Sequence, residues 1–129
     1  MAELRVLGKI EERVLIAEFG ALHTTDVIVT EERIKHIQER HPQDVELFDL
    51  YGQETITAPD MIVKDMKNEG TVFMIKHLPD YNINVVVRLA LKTEDEGLKN
   101  SVMTFYRIRT KNLDKMLKKN KVIYRKEII

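Results

Sequence analysis

At 129 residues, with 33% charged side chains and a formal net charge of zero, the chain is long enough for one domain that hides roughly two thirds of its unfolded surface. It has no cysteine, which excludes disulfides, thiolate metal sites and a cysteine nucleophile. No apolar run nears the roughly 20 residues of a membrane span, and Glu3, Arg5, Lys9, Glu11 and Glu12 deny the N-terminal stretch the apolar middle of a signal peptide, so the expectation is a single domain over residues 1–129, cytoplasmic and away from membranes.

The chain opens with strand-like runs at Leu4–Lys9, Arg13–Phe19 and Asp26–Val29, rich in β-branched residues or alternating in polarity. Thr30 then offers a capping hydroxyl, Glu31 and Glu32 suit the positive end of a helix dipole, and Pro42 stops the segment; these signals predict a helix near residues 31–41. Asp44 can cap a second helix whose apolar face is Val45, Leu47, Phe48, Leu50 and Tyr51, with Gly52 as an interruption and Pro59 as a later stop. Met61–Val63 reads as an edge strand. Thr71–His77, Ile83–Lys92 and Ser101–Arg109 are three β-rich runs joined by turn residues at 78–82 and 93–100, an antiparallel meander. In the middle run Ile83, Val85, Val87, Leu89 and Leu91 point one way, a core face, and Arg88 stands among smaller groups on the other. Leu113, Met116 and Leu117 follow at helical spacing, and Lys121–Lys126 suits a closing strand.

The neutral sum conceals a division. Residues 1–60 carry 13 acidic and 6 basic side chains, a balance of −7, whereas residues 61–129 carry 8 and 15, a balance of +7. Lys99, Arg107, Arg109, Lys111, Lys115, Lys118, Lys119, Lys121, Arg125 and Lys126 crowd the last 31 residues, as a surface meeting a polyanion such as RNA would require; a solvated lysine-rich helix is the plainer account.

The densest chemistry lies in Arg33-Ile34-Lys35-His36-Ile37-Gln38-Glu39-Arg40-His41-Pro42. Imidazoles move protons near neutral pH and guanidinium groups hold phosphate. At about 100° per residue, His41 falls within roughly 20° of Ile34 and 40° of Ile37, whereas His36 and Arg40 lie on the far side. If the isoleucines pack on the sheet, His41 faces it as the better placed acid or base. A metal site is poorly supported, because His36 and His41 are five apart rather than four and no third ligand is aimed at them.

The order of Gly8-Lys9-Ile10, Val27-Ile28-Val29-Thr30, the Arg33–Pro42 run, Ala58-Pro59-Asp60-Met61-Ile62, the strand Val85–Leu91, and Lys99-Asn100-Ser101 leading to Thr104-Phe105-Tyr106 resembles the phage-associated nuclease families of the Barnase/EndoU/colicin/RelE-like superfamily. The resemblance implies an α+β fold, with the N-terminal short strands and helices packed on an antiparallel four-stranded sheet, and a metal-independent, cofactor-free ribonuclease site between helix and sheet. It carries a helix histidine onto His36 or His41 with Arg40, a strand cation onto Arg88, and a hydroxyl onto Thr104, with Ser101 beside it; Tyr106 and Lys76 complete the candidate substrate contacts. The partners it implies are RNA, tRNA included, an immunity or antitoxin protein, and a phage structural protein, and the location it implies is cytoplasm or virion. Two functions from different classes follow: an endoribonuclease working by 2′-hydroxyl transesterification, and a noncatalytic RNA- or protein-binding virion module on a nuclease-like fold.

Overall fold

The computed structural model describes residues 4–94 and 97–126. Its strands are β1 (Leu4–Lys9), β2 (Asp26–Thr30), β3 (Met61–Lys64), β4 (Thr71–His77), β5 (Asn82–Arg88), β6 (Asn100–Ile108) and β7 (Lys121–Arg125); its helices are α1 (Ile16–Phe19), α2 (Glu31–Arg40), α3 (Val45–Thr57) and α4 (Thr110–Lys119). All seven strands share one sheet, ordered β1-β2-β6-β5-β4-β3-β7. Every pairing is antiparallel except β2 with β6, which is parallel and rests on two residue pairs, Val27 with Asn100 and Ile28 with Ser101. The architecture is α+β as expected, but the sheet has seven strands rather than four. The β1–β2 hairpin extends one side of the meander, and β7 extends the other.

Three local expectations are corrected. Residues 13–19 form a short 3-10 turn at Glu12–Val14 followed by α1, not a strand. Leu15 and Phe19, four residues apart, turn inward as on a helix, and Gly20 at φ 74° ends the turn in a conformation that a side chain would resist. β3 is an interior strand, because β7 pairs along its free side, and Met61, Ile62 and Val63 are buried accordingly. Gly52 does not interrupt α3; it lies buried against Phe48, where a Cβ would press within 3.1 Å of that ring.

The sheet buries both faces, which explains why Asn82 through Val87 are all buried where one core face was expected. On the first face, Val72, Met74, Ile83, Val85, Val87, Val102 and Phe105 meet Ile37 of α2 and Phe48 and Ile56 of α3, with Phe48 edge-on to Phe105 at 5.1 Å. On the second, Met61, Val63, Ile75 and Ile108 meet Leu113 of α4, with Met116, Leu117 and Val122 beside it. Among the described residues no helix is long and apolar enough to cross a membrane.

Candidate active site

The site begins where α2 ends. Thr30 Oγ1 accepts the Arg33 N–H at 3.1 Å, the expected N-cap, and Glu31 and Glu32 occupy the positive first turn. Buried Ile37 and half-buried Ile34 hold the helix on β2 and β6. His41 closes the last turn, its N–H donating to Ile37 O at 2.7 Å, and leaves helical geometry at φ −137° and ψ 59° ahead of Pro42. Its carbonyl then accepts the Asp44 N–H at 2.8 Å, so the backbone at His41 is fixed from both sides.

Because β2 pairs only with the first two residues of β6, the rest of that strand has an open side, which α2 and the 3-10 turn Pro42–Asp44 line. There the His41 ring lies against Tyr106, centroids 5.6 Å apart and tilted by 32°. The Tyr106 hydroxyl is held from below by the Asn84 amide, Nδ2 to Oη 3.0 Å. Asn84 is fully buried and its second amide atom, Oδ1, has no partner. Turning the amide over would make the phenol the donor and leave the nitrogen partly unpaired instead, so either orientation keeps one unsatisfied polar atom beneath Tyr106.

Asp44 was expected to cap α3, and it does not: no side-chain cap bond forms there. Its buried carboxylate reaches β6 instead, where Oδ2 accepts the Arg107 N–H at 3.4 Å and Oδ1 lies 2.6 Å from Arg107 Nε. That second contact is an ion pair whose angle falls short of a hydrogen bond, so charge alone satisfies Oδ1. The Arg107 guanidinium also lies over the Tyr81 ring at 5.5 Å. His41, Gln43, Asp44, Asp80, Tyr81, Tyr106, Arg107 and Arg109 line one cleft of about 400 Å³. Arg109 is exposed, has no carboxylate within ion-pair distance among the described residues, and is the N-cap residue of α4, whose first-turn N–H groups receive no side-chain cap.

The cleft therefore combines an imidazole, two phenols, one guanidinium neutralised by Asp44, one free guanidinium and the Asp80 carboxylate. The family model for the phage-Barnase-EndoU-ColicinE5/D-RelE like nuclease2, PBECR2, matches residues 3–125. The chain belongs to this nuclease family. No curated protein and no solved structure matches it.

The matched PBECR2 span contains every residue of the cleft, but the expected site residues are dispersed within it. Arg88 lies on β5 four residues beyond Asn84, about 13 Å along the strand, and is already engaged: Nη1 donates to Leu89 O at 2.5 Å and Nη2 pairs with Glu94 Oε2 at 2.6 Å. Gly70, at φ 75°, leaves room for that guanidinium where a Cβ would collide with it. The Glu94 carboxyl is held below its ordinary value, first by the Leu91 N–H that it accepts and then by Arg88, with burial opposing. Ser101 pairs with Arg88 across the strands and donates its hydroxyl to Lys99 O at 3.1 Å; Thr104 is opposite Val86. Thr104 thus stands between Arg88 and Tyr106 on the second face. His36 is half-buried and Arg40 exposed on α2, and neither lines the His41 cleft. Lys76 pairs with Glu54 of α3 at 3.3 Å on the first face.

The sequence marks His41 and Tyr106 as candidates and Arg107 and Arg109 as part of the basic C-terminal region, but nothing in it brings Asp44 or Tyr81 to them. The alternation Tyr106-Arg107-Ile108-Arg109 at a strand end was the available signal. Among the described residues no three His, Asp or Glu side chains gather as metal ligands would.

Proposed function

We propose that this PBECR2 domain is an endoribonuclease that cleaves RNA by 2′-hydroxyl transesterification without a metal, in the His41 cleft. The observation that carries this reading is the His41 imidazole set against Tyr106 beside Arg107 and Arg109. One group removes the proton of the 2′-hydroxyl, and that oxygen bonds to the adjacent phosphorus. The bond from phosphorus to the 5′-oxygen breaks, and a proton is delivered to the leaving oxygen. The products are a 2′,3′-cyclic phosphate and a 5′-hydroxyl. His41 suits the first proton transfer, and the Tyr106 phenol, positioned by Asn84, suits the second. Arg109 and the N-terminal N–H groups of α4 supply positive charge for the phosphoryl oxygens, and Arg107, tied to Asp44, contributes position more than free charge.

One observation favours the noncatalytic alternative: a single imidazole lines the cleft, so the second proton transfer falls to a phenol. Incubation of the full chain with cellular RNA in EDTA, followed by end-group analysis, separates the two. Cyclic phosphate ends with DNA left intact support the nuclease, since DNA lacks the attacking hydroxyl. Strict dependence on added divalent metal would remove the mechanism, and binding without cleavage would leave the RNA-binding module.

A further inference from the structure

Beyond the cleft, Tyr106 and Arg107 also line a second depression, of about 510 Å³, between the sheet and α4. Its other walls are Phe73 of β4, Ile108, and Asn112, Lys115, Met116 and Lys119 of α4. Residues 112, 115, 116 and 119 follow helical spacing, so they form one stripe along the helix, next to the stripe of Leu113 and Leu117 that packs on the sheet. Lys115 and Lys119 are one turn apart, about 6 Å along the axis. Both are exposed, and among the described residues neither has a carboxylate within ion-pair distance, whereas Lys64 and Lys121, on the other face of the sheet, are both claimed by Glu18. The sheet side offers the half-buried Phe73 and Tyr106, and the helix side offers cations.

We propose that this groove is a track for single-stranded RNA leading into the His41 cleft, with Lys115 and Lys119 against successive phosphates and bases over Phe73 and Tyr106. The inference rests on the ribonuclease reading for the direction of the strand, not for its binding. Aromatic faces beside a row of cations are the chemistry that holds unpaired nucleotides without regard to sequence, because every base has a stacking face. A duplex hides the stacking faces of its bases and presents phosphates, 2′-hydroxyls and base edges, so it leaves the aromatic wall without a partner. The order of groups along the surface, lysines, then Phe73 and Tyr106, then His41, is continuous because Tyr106 and Arg107 belong to both depressions.

The test uses the full chain and a 2′-O-methyl oligouridylate of about 12 nucleotides, within the range that such grooves occupy, which cannot be cut because its attacking oxygen is blocked. K115Q/K119Q should weaken its binding about tenfold or more and reduce the slope of log affinity against log salt by about 1.4, two single-strand phosphate contacts. K35Q/K92Q removes the same charge from exposed positions on α2 and after β5, neither of which lines the groove, and should cost less than about twofold. Phe73→Leu, which keeps apolar bulk if Phe73→Ala fails to fold, should weaken the single strand and leave a duplex of equal length unaffected. Equal losses from both lysine pairs, or duplex binding as tight as single-strand binding, would overturn the track. Cleavage of unmodified RNA is measured separately: its absence with the binding pattern intact removes the catalytic reading alone, and its presence with equal lysine losses removes the track alone.

Discussion

His41 is the last link of the α2 hydrogen-bond ladder and the side wall of a cleft, and the two roles support each other. Its engaged N–H and carbonyl fix the backbone that carries the ring, and the ring itself rests against Tyr106. His41→Ala is therefore expected to lower RNA cleavage on the order of a hundredfold or more, whereas His36→Ala, outside the cleft, should leave it nearly unchanged. Equal losses in single-turnover assays would place the chemistry elsewhere on α2. Glu94 gives a pH prediction from its depressed carboxyl. A lowered folded value means that the charged form is favoured on folding, so the contribution is fully present above the unfolded value of about 4.3 and is lost as pH falls through the folded value. Thermal melts of the parent and Glu94→Gln should therefore differ near neutral pH, and the gap should narrow as pH falls below about 4.3; a gap that does not change with pH would show that the Arg88–Glu94 contact is not its source.

At the scale of elements, Asn100 joins the N-terminal hairpin to the meander. Its side chain is fully buried; Oδ1 accepts the Ala90 N–H at 2.8 Å, and Nδ2 donates to Thr24 O at 2.7 Å and Asp26 O at 3.0 Å. Asn100→Ala should cost on the order of 3 kcal/mol, because it strands several buried backbone groups. Denaturant midpoints measure this, and a loss under about 1 kcal/mol would mean that water replaces the amide. Asn100 also shows what the sequence withheld. Strand and helix identities were readable where the signals are local, as with Thr30 capping α2, Pro42 stopping it, and the β4–β6 alternation. Strand order was not, because Val27 and Asn100 pair across 73 residues with no local mark of it, and so the sheet was expected to be four strands wide. Asp44 misled for the same reason. Its position suits a helix cap, and only the fold reveals Arg107 as the partner that takes it away. In the cleft, Tyr106 and His41 were legible as residue types, but their meeting depends on β2 ending its pairing at Ser101.

Across the whole molecule, cohesion is uneven. β4, β5 and β6 share seven-residue antiparallel registers, while β1 and β2 hold to them through two parallel pairs, and Leu4 and Val6 on the outer strand are 53% and 59% exposed. Amide exchange in β1 and β2 should accordingly run faster than in β5, by opening of the hairpin as a unit; equal protection would mean that α3, which packs on β1, binds the hairpin into the global unfolding step. The parallel pair has a consequence during synthesis as well. Val27 and Ile28 leave the ribosome long before Asn100 and Ser101 exist to receive them, and loops of that span close late. His41 likewise waits for Tyr106. A growing chain therefore carries its imidazole exposed but without a cleft, and under the proposed function the nascent protein is no threat to the messenger that encodes it until the last strands arrive.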